Sequence, residues 1–276
     1  MSVTVYDHPL SPYGQKVKIA LLEKGVDFVA PLPVELGSGA ADGEFAAASP
    51  RGEVPALIDG EVTVFDSSVI LQYIEERWPE PPLLPPTPAE RARVRMLEDA
   101  MDTHFEAITW GIAEIIHFGR APGALGDAML GRAAKQLAQW YEWLEIELSE
   151  RTWFNGGEFG WGDLVVAPFV IAAVRFGHQP EADSGLSNWI DIVSARPSVK
   201  ACADAAAAMA FDSPDVNLDA VKLAMDQGLF KREYRDHRLE WMVKTGGLAV
   251  VDDGIAKDNV RFIEPFAAGQ ESGGVD

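Results

Sequence analysis

The chain has 276 residues, and its 47% hydrophobic content suffices for one large core or two of ordinary size. A formal net charge of −20 argues against nucleic-acid binding, because phosphate contacts need a basic face. The single cysteine, Cys202, excludes an internal disulfide and a cysteine zinc cluster, and it fits a reducing compartment.

The first predicted strand and helix meet at Ser11. From Val3 onward, β-branched and aromatic side chains favour a short strand. Ser11 can cap a helix, Pro12 suits its first position, and apolar residues then recur with helical spacing. A helix start carries unpaired N–H groups and about half a positive charge, so it stabilises an anion such as a thiolate. The alternative is that Ser11 merely caps the helix.

A second strand and a hairpin follow. Residues 26–29 alternate apolar and polar, residues 37–48 indicate a loop with a weak helix, and Asp59-Gly60 is typical of a hairpin turn. Pro55, at the start of a strand, cannot donate a ladder bond and therefore marks an edge. A cis bond there would leave the backbone of Val54 to an extended, peptide-like ligand, whereas the alternative is an ordinary edge proline.

Asp66 and Ser67 open a further helix. Ile70, Ile74 and Trp78 recur every four residues after them, so Asp66 or Ser67 is the predicted cap. This second helix N-terminus suits a carboxylate.

Residues 79–88 hold six prolines and predict a stiff linker, which marks a domain boundary. Everything beyond it reads as helical, with patterns at 89–118, 125–149, 164–176, 186–195 and 198–209. Residues 216–243 predict one or two more helices, within which we interpret the basic-rich run 231–241 as a solvated helix face. The last stretch, 246–276, is expected to wrap or fray.

The longest apolar stretch, 164–174, has about half the roughly 20 residues needed to cross a bilayer. The N-terminus also lacks the pattern of a secretory leader. We therefore expect a soluble, cytoplasmic protein with no membrane partner.

In this order, the elements resemble the glutathione S-transferase superfamily over roughly residues 3–210. The resemblance implies an α/β N-terminal thioredoxin-like domain plus an all-α C-terminal domain. Its implied bounds are 1–80 for the glutathione-binding domain, 81–88 for the linker, 89–215 for the helical substrate domain, and 216–276 for a C-terminal extension.

Three motifs carry the implied glutathione site. The segment Ser11-Pro12-Tyr13-Gly14 resembles the serine-type active-site segment, which implies that Ser11 is catalytic and hydrogen-bonds the glutathione sulfur. The segment 51–57 resembles the family's cis-proline segment, and Asp66-Ser67 resembles the acidic-serine pair that takes the γ-glutamyl group. The implied glutathione-binding residues are Ser11, Arg51, Glu53, Val54, Pro55, Asp66 and Ser67.

Two positions depart from the family pattern. Glu53 stands where many relatives have Lys or Gln, so we expect Arg51 to hold the glycine end of glutathione. Gly160 replaces the usual Ser or Thr of a capping box whose other half, Asp163, is retained, so we expect a modest loss of stability at that helix start.

The resemblance implies that a glutathione thiolate attacks a hydrophobic, aromatic electrophile and that no metal takes part. The expected electrophile pocket comprises Leu10, Tyr13, Phe105, Thr109, Trp110 and His117, and the alternative for the aromatic members is helix packing. His104 or His117 is a candidate donor to a leaving oxygen.

Gly160-Trp161 is similar to a glutathione lyase of lignin-aromatic catabolism, which suggests β-aryl ether cleavage, with reductive dehalogenation and double-bond isomerisation as open alternatives. The competing hypothesis is a non-catalytic, transferase-like subunit or binding module. The resemblance further implies a homodimer, or a heterodimer with a related chain, in which Glu98 or Asp102 faces the neighbour's glutathione site.

Overall fold

The N-terminal part is a four-stranded sheet with helices packed against it, in a computed structural model that describes residues 2–33, 43–210, 217–234 and 236–261. The strand order is β2-β1-β3-β4, with β1 and β2 parallel and the other pairs antiparallel. The elements are β1 (Val3–Tyr6), α1 (Pro12–Glu23), β2 (Phe28–Val29), α2 (Gly43–Ala48), β3 (Ala56–Asp59), β4 (Val62–Phe65) and α3 (Ser67–Arg77).

The alternation predicted for the first strand decides which face of the sheet is buried. Val3 and Val5 are buried on one face of β1, beside Leu57 of β3. Helix α1 covers this face, with Val17 and Leu21 fully buried. The predicted thioredoxin-like architecture is therefore confirmed.

The helical part begins with one long helix that contains a π-helical turn. The predicted helix 89–118 consists of α4 (Pro88–Ala100), the π-helical turn Met101–Phe105 and α5 (Glu106–Ile116). Such turns are frequent at functional sites. The remaining helices are α6 (Ala124–Leu148), α7 (Trp161–Arg175), α8 (Gly185–Ser194) and α9 (Pro197–Ala208). The apolar α7 is almost entirely buried, as expected of a central helix.

The start of α7 is held by Asp163 rather than by a side chain at Gly160. The Asp163 carboxylate accepts from the Gly160 N–H at 3.1 Å, so the predicted half of the capping box is present. It also accepts from the Trp189 indole N–H at 2.8 Å. Asn155 Oδ1 accepts from the Gly162 N–H at 3.3 Å and replaces part of the missing cap.

The C-terminal extension folds back over the long helix. It contains α10 (Leu218–Asp226), β5 (Arg232–Glu233), α11 (Asp236–Thr245), α12 (Leu248–Ala256) and β6 (Val260–Arg261), with β5 and β6 parallel. Of the stretch from residue 246 that is expected to wrap or fray, 248–256 are helical, and its remainder from 262 lies outside the described residues. Among the helices of the described ranges, none has the length and apolar content that crossing a bilayer requires.

The interpretation of 231–241 as a solvated helix face is wrong. Arg238 donates to the buried carboxylate of Glu106, with its Nη2 at 2.6 Å. Arg232 donates to Glu114, a fully buried residue of α5, at 2.5 Å. The basic side chains thus neutralise carboxylates that α5 presents on the face covered by α11.

Candidate active site

The register of the sheet brings the two predicted loops together. Tyr6, the last residue of β1, pairs with Ala56, the first residue of β3. The loop that leads to Ser11 and the segment that ends at Pro55 therefore leave the same end of the sheet. Beside them lies a cleft of about 490 Å³ between the sheet-bearing and helical parts.

Six of the predicted site residues in the N-terminal part line this cleft together with Tyr13. They are Arg51, Glu53, Val54, Pro55, Asp66 and Ser67. The Val54–Pro55 peptide bond is cis, and the ladder between β3 and β4 starts at the following residue, Ala56. Val54 thus lies ahead of the paired part of its strand and borders the cleft.

Asp66 is the predicted helix cap and adopts an unusual backbone. Its carboxylate accepts from the N–H groups of Ser68 at 3.1 Å and Val69 at 3.3 Å. Its φ of +73° lies in a region that L-residues rarely adopt and that clusters at ligand sites, at a cost of about 1–3 kcal/mol. This strained cap presents Ser67 and the start of α3 to the cleft.

Arg51 is engaged by carboxylates of its own chain. Its Nε lies 2.8 Å from Glu53, its Nη2 lies 3.2 Å from Asp66, and its guanidinium stacks over Phe65 at 5.3 Å. A ligand carboxylate at Arg51 therefore has to share the guanidinium with Glu53 and Asp66.

The Ser11 hydroxyl caps α1 as predicted, accepting from the Gly14 N–H at 3.2 Å. Ser11 is half-buried and is not among the residues that line the cleft, whereas Tyr13 is. Among the described residues, no acceptor takes the hydrogen of the Ser11 hydroxyl. The neighbouring imidazole of His8 favours its neutral form, because burial, followed by the charges of Arg232 and Lys18, lowers its pKa.

A buried ion cluster forms the floor of the cleft. Lys16 Nζ is fully buried and lies 2.9 Å from Glu98 and 2.5 Å from Asp102. Ser68 donates to Glu98 at 2.7 Å, and the Trp161 indole N–H donates to the same carboxylate at 2.8 Å. The cluster joins α1, α3, α4 and α7, and its carboxylates line the chain's own cleft.

The two carboxylates of this cluster differ in pKa. Burial raises the pKa of Asp102 to about 6, although Lys16 opposes the shift. For Glu98, the attraction of Lys16 outweighs burial and lowers the pKa. Glu98 thus carries the negative charge that balances Lys16 near neutral pH, while Asp102 titrates close to it.

The far wall of the cleft comes from the π-helical turn and from the C-terminal extension. The Tyr13 hydroxyl donates to the backbone carbonyl of Asp102 at 2.6 Å. Thr103 and Glu106 line the wall beside it, together with Asp236, His237 and Arg238 of the extension.

Most of the residues expected to bind the electrophile lie elsewhere. Phe105 and Thr109 are buried, and Trp110 packs edge-to-face on Tyr234 of the extension at 4.8 Å. His117 ends α5 against the ring of Phe176, 5.7 Å away. Leu10 lies in the loop before Ser11, where its N–H donates to His8. Of the predicted set, only Tyr13 lines the cleft, and the extension covers Trp110.

The cluster around Lys16 and the contribution of the extension were not predicted from the sequence. The signal for the first was Lys16 itself, a charged residue within the apolar pattern of α1. The signal for the second was the pair Glu106 and Glu114, which flank Trp110 at intervals of four residues and so share one helix face. No group of three or more potential metal ligands is found in the described part of the chain.

Comparison with known proteins accounts for this architecture. Residues 5–82 match the family model of the glutathione S-transferase N-terminal domain. The chain is 30% identical to a stringent starvation protein A homolog of Coxiella burnetii, over 72% of this chain and 90% of that protein. It is 32% identical to glutathione S-transferase 3 of Zea mays, over 74% of this chain and 88% of that protein.

A solved structure shows the same fold. It is a glutathione S-transferase of Methylobacterium radiotolerans in complex with glutathione sulfonate, with 27% sequence identity and a TM-score of 0.62. The similarity covers 74% of this chain and 95% of that one. With the thioredoxin-like sheet, the helical domain and the cleft between them, the chain belongs to the glutathione S-transferase superfamily.

Proposed function

We propose that the chain is a glutathione-dependent transferase that binds glutathione in this cleft and activates its thiol. The observation that carries the proposal is the convergence of Val54, cis-Pro55 and the Asp66-Ser67 helix start on one cleft. An extended tripeptide finds backbone partners at Val54 and a carboxylate site at the start of α3. The related transferase with bound glutathione sulfonate supports the same ligand class.

In this proposal the sulfur lies at the start of α1. Only the thiolate is a good nucleophile, and the free thiol titrates above neutral pH. Lowering its pKa by about two units requires about 2.7 kcal/mol, which one hydrogen bond to a charged sulfur plus a helix N-terminus can supply. Ser11 has a hydroxyl hydrogen available for that bond, while its oxygen is fixed by the Gly14 N–H.

The substrate that accepts the sulfur is, in this proposal, a planar aromatic electrophile, with aryl ether cleavage as the specific reaction. Tyr13 and the polar wall at Thr103 and His237 favour a ring that carries oxygen substituents over a purely apolar one. The family membership itself leaves the electrophile open.

Ultraviolet difference absorbance of bound thiolate tests this proposal. Adding glutathione to the protein should raise thiolate absorbance near neutral pH, and Ser11→Ala should abolish that rise while retaining glutathione binding by calorimetry. The matched control is Ser184→Ala, because Ser184 caps α8 in the same way but lies outside the cleft lining. An unchanged absorbance in Ser11→Ala would remove Ser11 from the mechanism.

A second candidate function is a glutathione-binding subunit without turnover. The burial of Phe105, Thr109 and Trp110, the last of them against Tyr234 of the extension, favours it, because the expected electrophile surface is occupied by protein. Glutathione binding without product from a panel of aryl ethers, aryl halides and enones, followed by mass spectrometry, would support this function over the first.

A dimer, of identical or related chains, is part of the proposal. Large apolar side chains are exposed on the outer helices, with Val69 54%, Met96 63% and Ile146 73% exposed. Single exposed residues of this kind are normal on a monomer, so the support for a dimer is the family membership. Light scattering at micromolar concentration should give about 60 kDa for a homodimer of this 30.0 kDa chain.

A further inference from the structure

We infer that His237, supplied by the C-terminal extension, donates the proton to the oxygen that leaves the electrophile. This inference rests on the proposed function and assigns the substrate class as an aryl ether whose leaving group is a phenol. It also moves the electrophile site from the inner face of α5 to the mouth of the cleft.

Within the described ranges, the wall beside Tyr13 can take a second substrate. The inner face of α5 is closed, because Trp110 lies under Tyr234 and beside the guanidinium of Arg238, which is 5.2 Å from its ring. The open wall runs from Thr103 to His237 instead. A ring placed there would share the cleft with the start of α3, where the γ-glutamyl group is proposed to bind.

His237 is held at this wall by its neighbours. The adjacent Arg238 is fixed by the Glu106 carboxylate, with three nitrogen–oxygen hydrogen bonds between 2.6 and 3.2 Å. On its other side, the His237 ring meets the ring of His104 edge-to-face at 4.7 Å, and His104 stacks on Trp140 at 6.1 Å. The imidazole is thus oriented by an aromatic stack and a buried ion pair.

One ring nitrogen of His237 remains available for a substrate. Nδ1 lies 3.4 Å from the Glu240 carboxylate without hydrogen-bond geometry. Among the described residues, none is hydrogen-bonded to Nε2, and 37% of the side chain is exposed. A substrate oxygen can therefore reach the imidazole from the cleft.

Charged and titratable groups face His237 from two elements. Glu240 lies on its own helix, 3.4 Å from Nδ1, and the Glu106 and Asp102 carboxylates line the same cleft from the opposing helix. The cation beside it is Arg238, which is paired with Glu106, and the ring of His104 contacts it edge-to-face.

The proposed step balances in atoms and charge. The thiolate of glutathione attacks the ether carbon, a carbon–sulfur bond forms, and the carbon–oxygen bond breaks with its electron pair on oxygen. His237 transfers its Nε2 proton to that oxygen, so that a thioether and a phenol result. Solvent then returns a proton to the neutral imidazole.

Two substrates with different leaving groups distinguish a proton-donating role of His237 from a merely structural one. The leaving group of an aryl ether is a phenolate, which is stabilised by protonation. The leaving group of 1-chloro-2,4-dinitrobenzene is chloride, which needs no proton. In His237→Gln we expect kcat on the ether to fall by about 100-fold or more, with chloride displacement changed less than about twofold. The control His178→Gln, at the end of α7 and outside the cleft lining, should retain both activities.

Equal losses on both substrates, or no loss on either, would overturn the role of His237. A wild-type protein that binds glutathione but cleaves no aryl ether would overturn the inference and leave glutathione binding standing. A protein that binds no glutathione would overturn the proposed function itself, which calorimetry on the wild type reports separately.

Discussion

Lys16 Nζ lies 2.9 Å from Glu98 Oε1, and this contact joins the first helix of the sheet-bearing part to the first helix of the helical part. Because Lys16 is fully buried, its removal strands Glu98 and Asp102 without a counterion. We expect Lys16→Met to lower the free energy of unfolding by about 3–5 kcal/mol, as measured by denaturant unfolding. The control is Lys200→Met, which breaks an exposed pair with Asp204 and should cost at most about 0.5 kcal/mol. Equal losses of unfolding free energy in the two variants would show that the buried pair stabilises the fold no more than the exposed one.

Asp102 predicts a dependence of stability on pH. Its folded pKa is raised to about 6, mainly by burial, from an ordinary value near 4. Between these values the folded protein holds a proton that the unfolded chain releases, so stability falls as pH rises from about 4 to 6. The slope is at most about 1.4 kcal/mol per pH unit.

Asp102→Asn should flatten the stability profile in that interval, followed by unfolding at several pH values. Asp99→Asn, which changes an exposed neighbour that also lines the cleft, should keep the wild-type slope. The pH assignment to Asp102 fails if both variants retain the slope.

The ion pair between Arg238 and Glu106 holds the C-terminal extension against α5. The attraction of Glu106 outweighs burial and raises the pKa of Arg238, so the guanidinium stays charged. Arg238→Met leaves Glu106 buried and unpaired, at a cost of about 3–5 kcal/mol. We expect cleavage within 217–261 by limited proteolysis to accelerate more than about 100-fold. Lys257→Met, which breaks an exposed pair on α12, should leave the rate near that of wild type.

Helix capping alone would predict that a serine at position 160 stabilises the start of α7, but the space around Gly160 predicts the opposite. A serine there would restore the usual cap residue, yet its Cβ would lie 2.2 Å from Asn155 Nδ2 and 2.5 Å from the Leu83 carbonyl oxygen. We expect Gly160→Ser to destabilise the fold by about 1–3 kcal/mol in thermal unfolding. Gly157→Ser is the matched control, because no atom lies within 4 Å of its added Cβ. A stabilised Gly160→Ser would restore the capping argument.

Local patterns in the sequence predicted the sheet, the helix caps and the proline at the start of β3. Ser11 and Asp66 cap their helices as expected, and the Val54–Pro55 bond is cis. These features depend on neighbours within a few residues, which is why residue type and spacing suffice for them.

Contacts across long stretches of chain were not predictable in the same way. Arg238 and Glu106 are 132 residues apart, and nothing in the local pattern of 231–241 distinguishes a buried partner from a solvated face. The same gap affected the electrophile site, because Trp110 looks identical in sequence whether it lines a pocket or packs under Tyr234.

The two buried glutamates of α5, Glu106 and Glu114, are paired with arginines of the extension. A shorter protein ending before residue 217 would leave Glu106 without Arg238, whereas Glu114 would lose Arg232 and keep Arg120, 3.2 Å away. Transferring the extension onto another family member therefore requires transferring Glu106 with it.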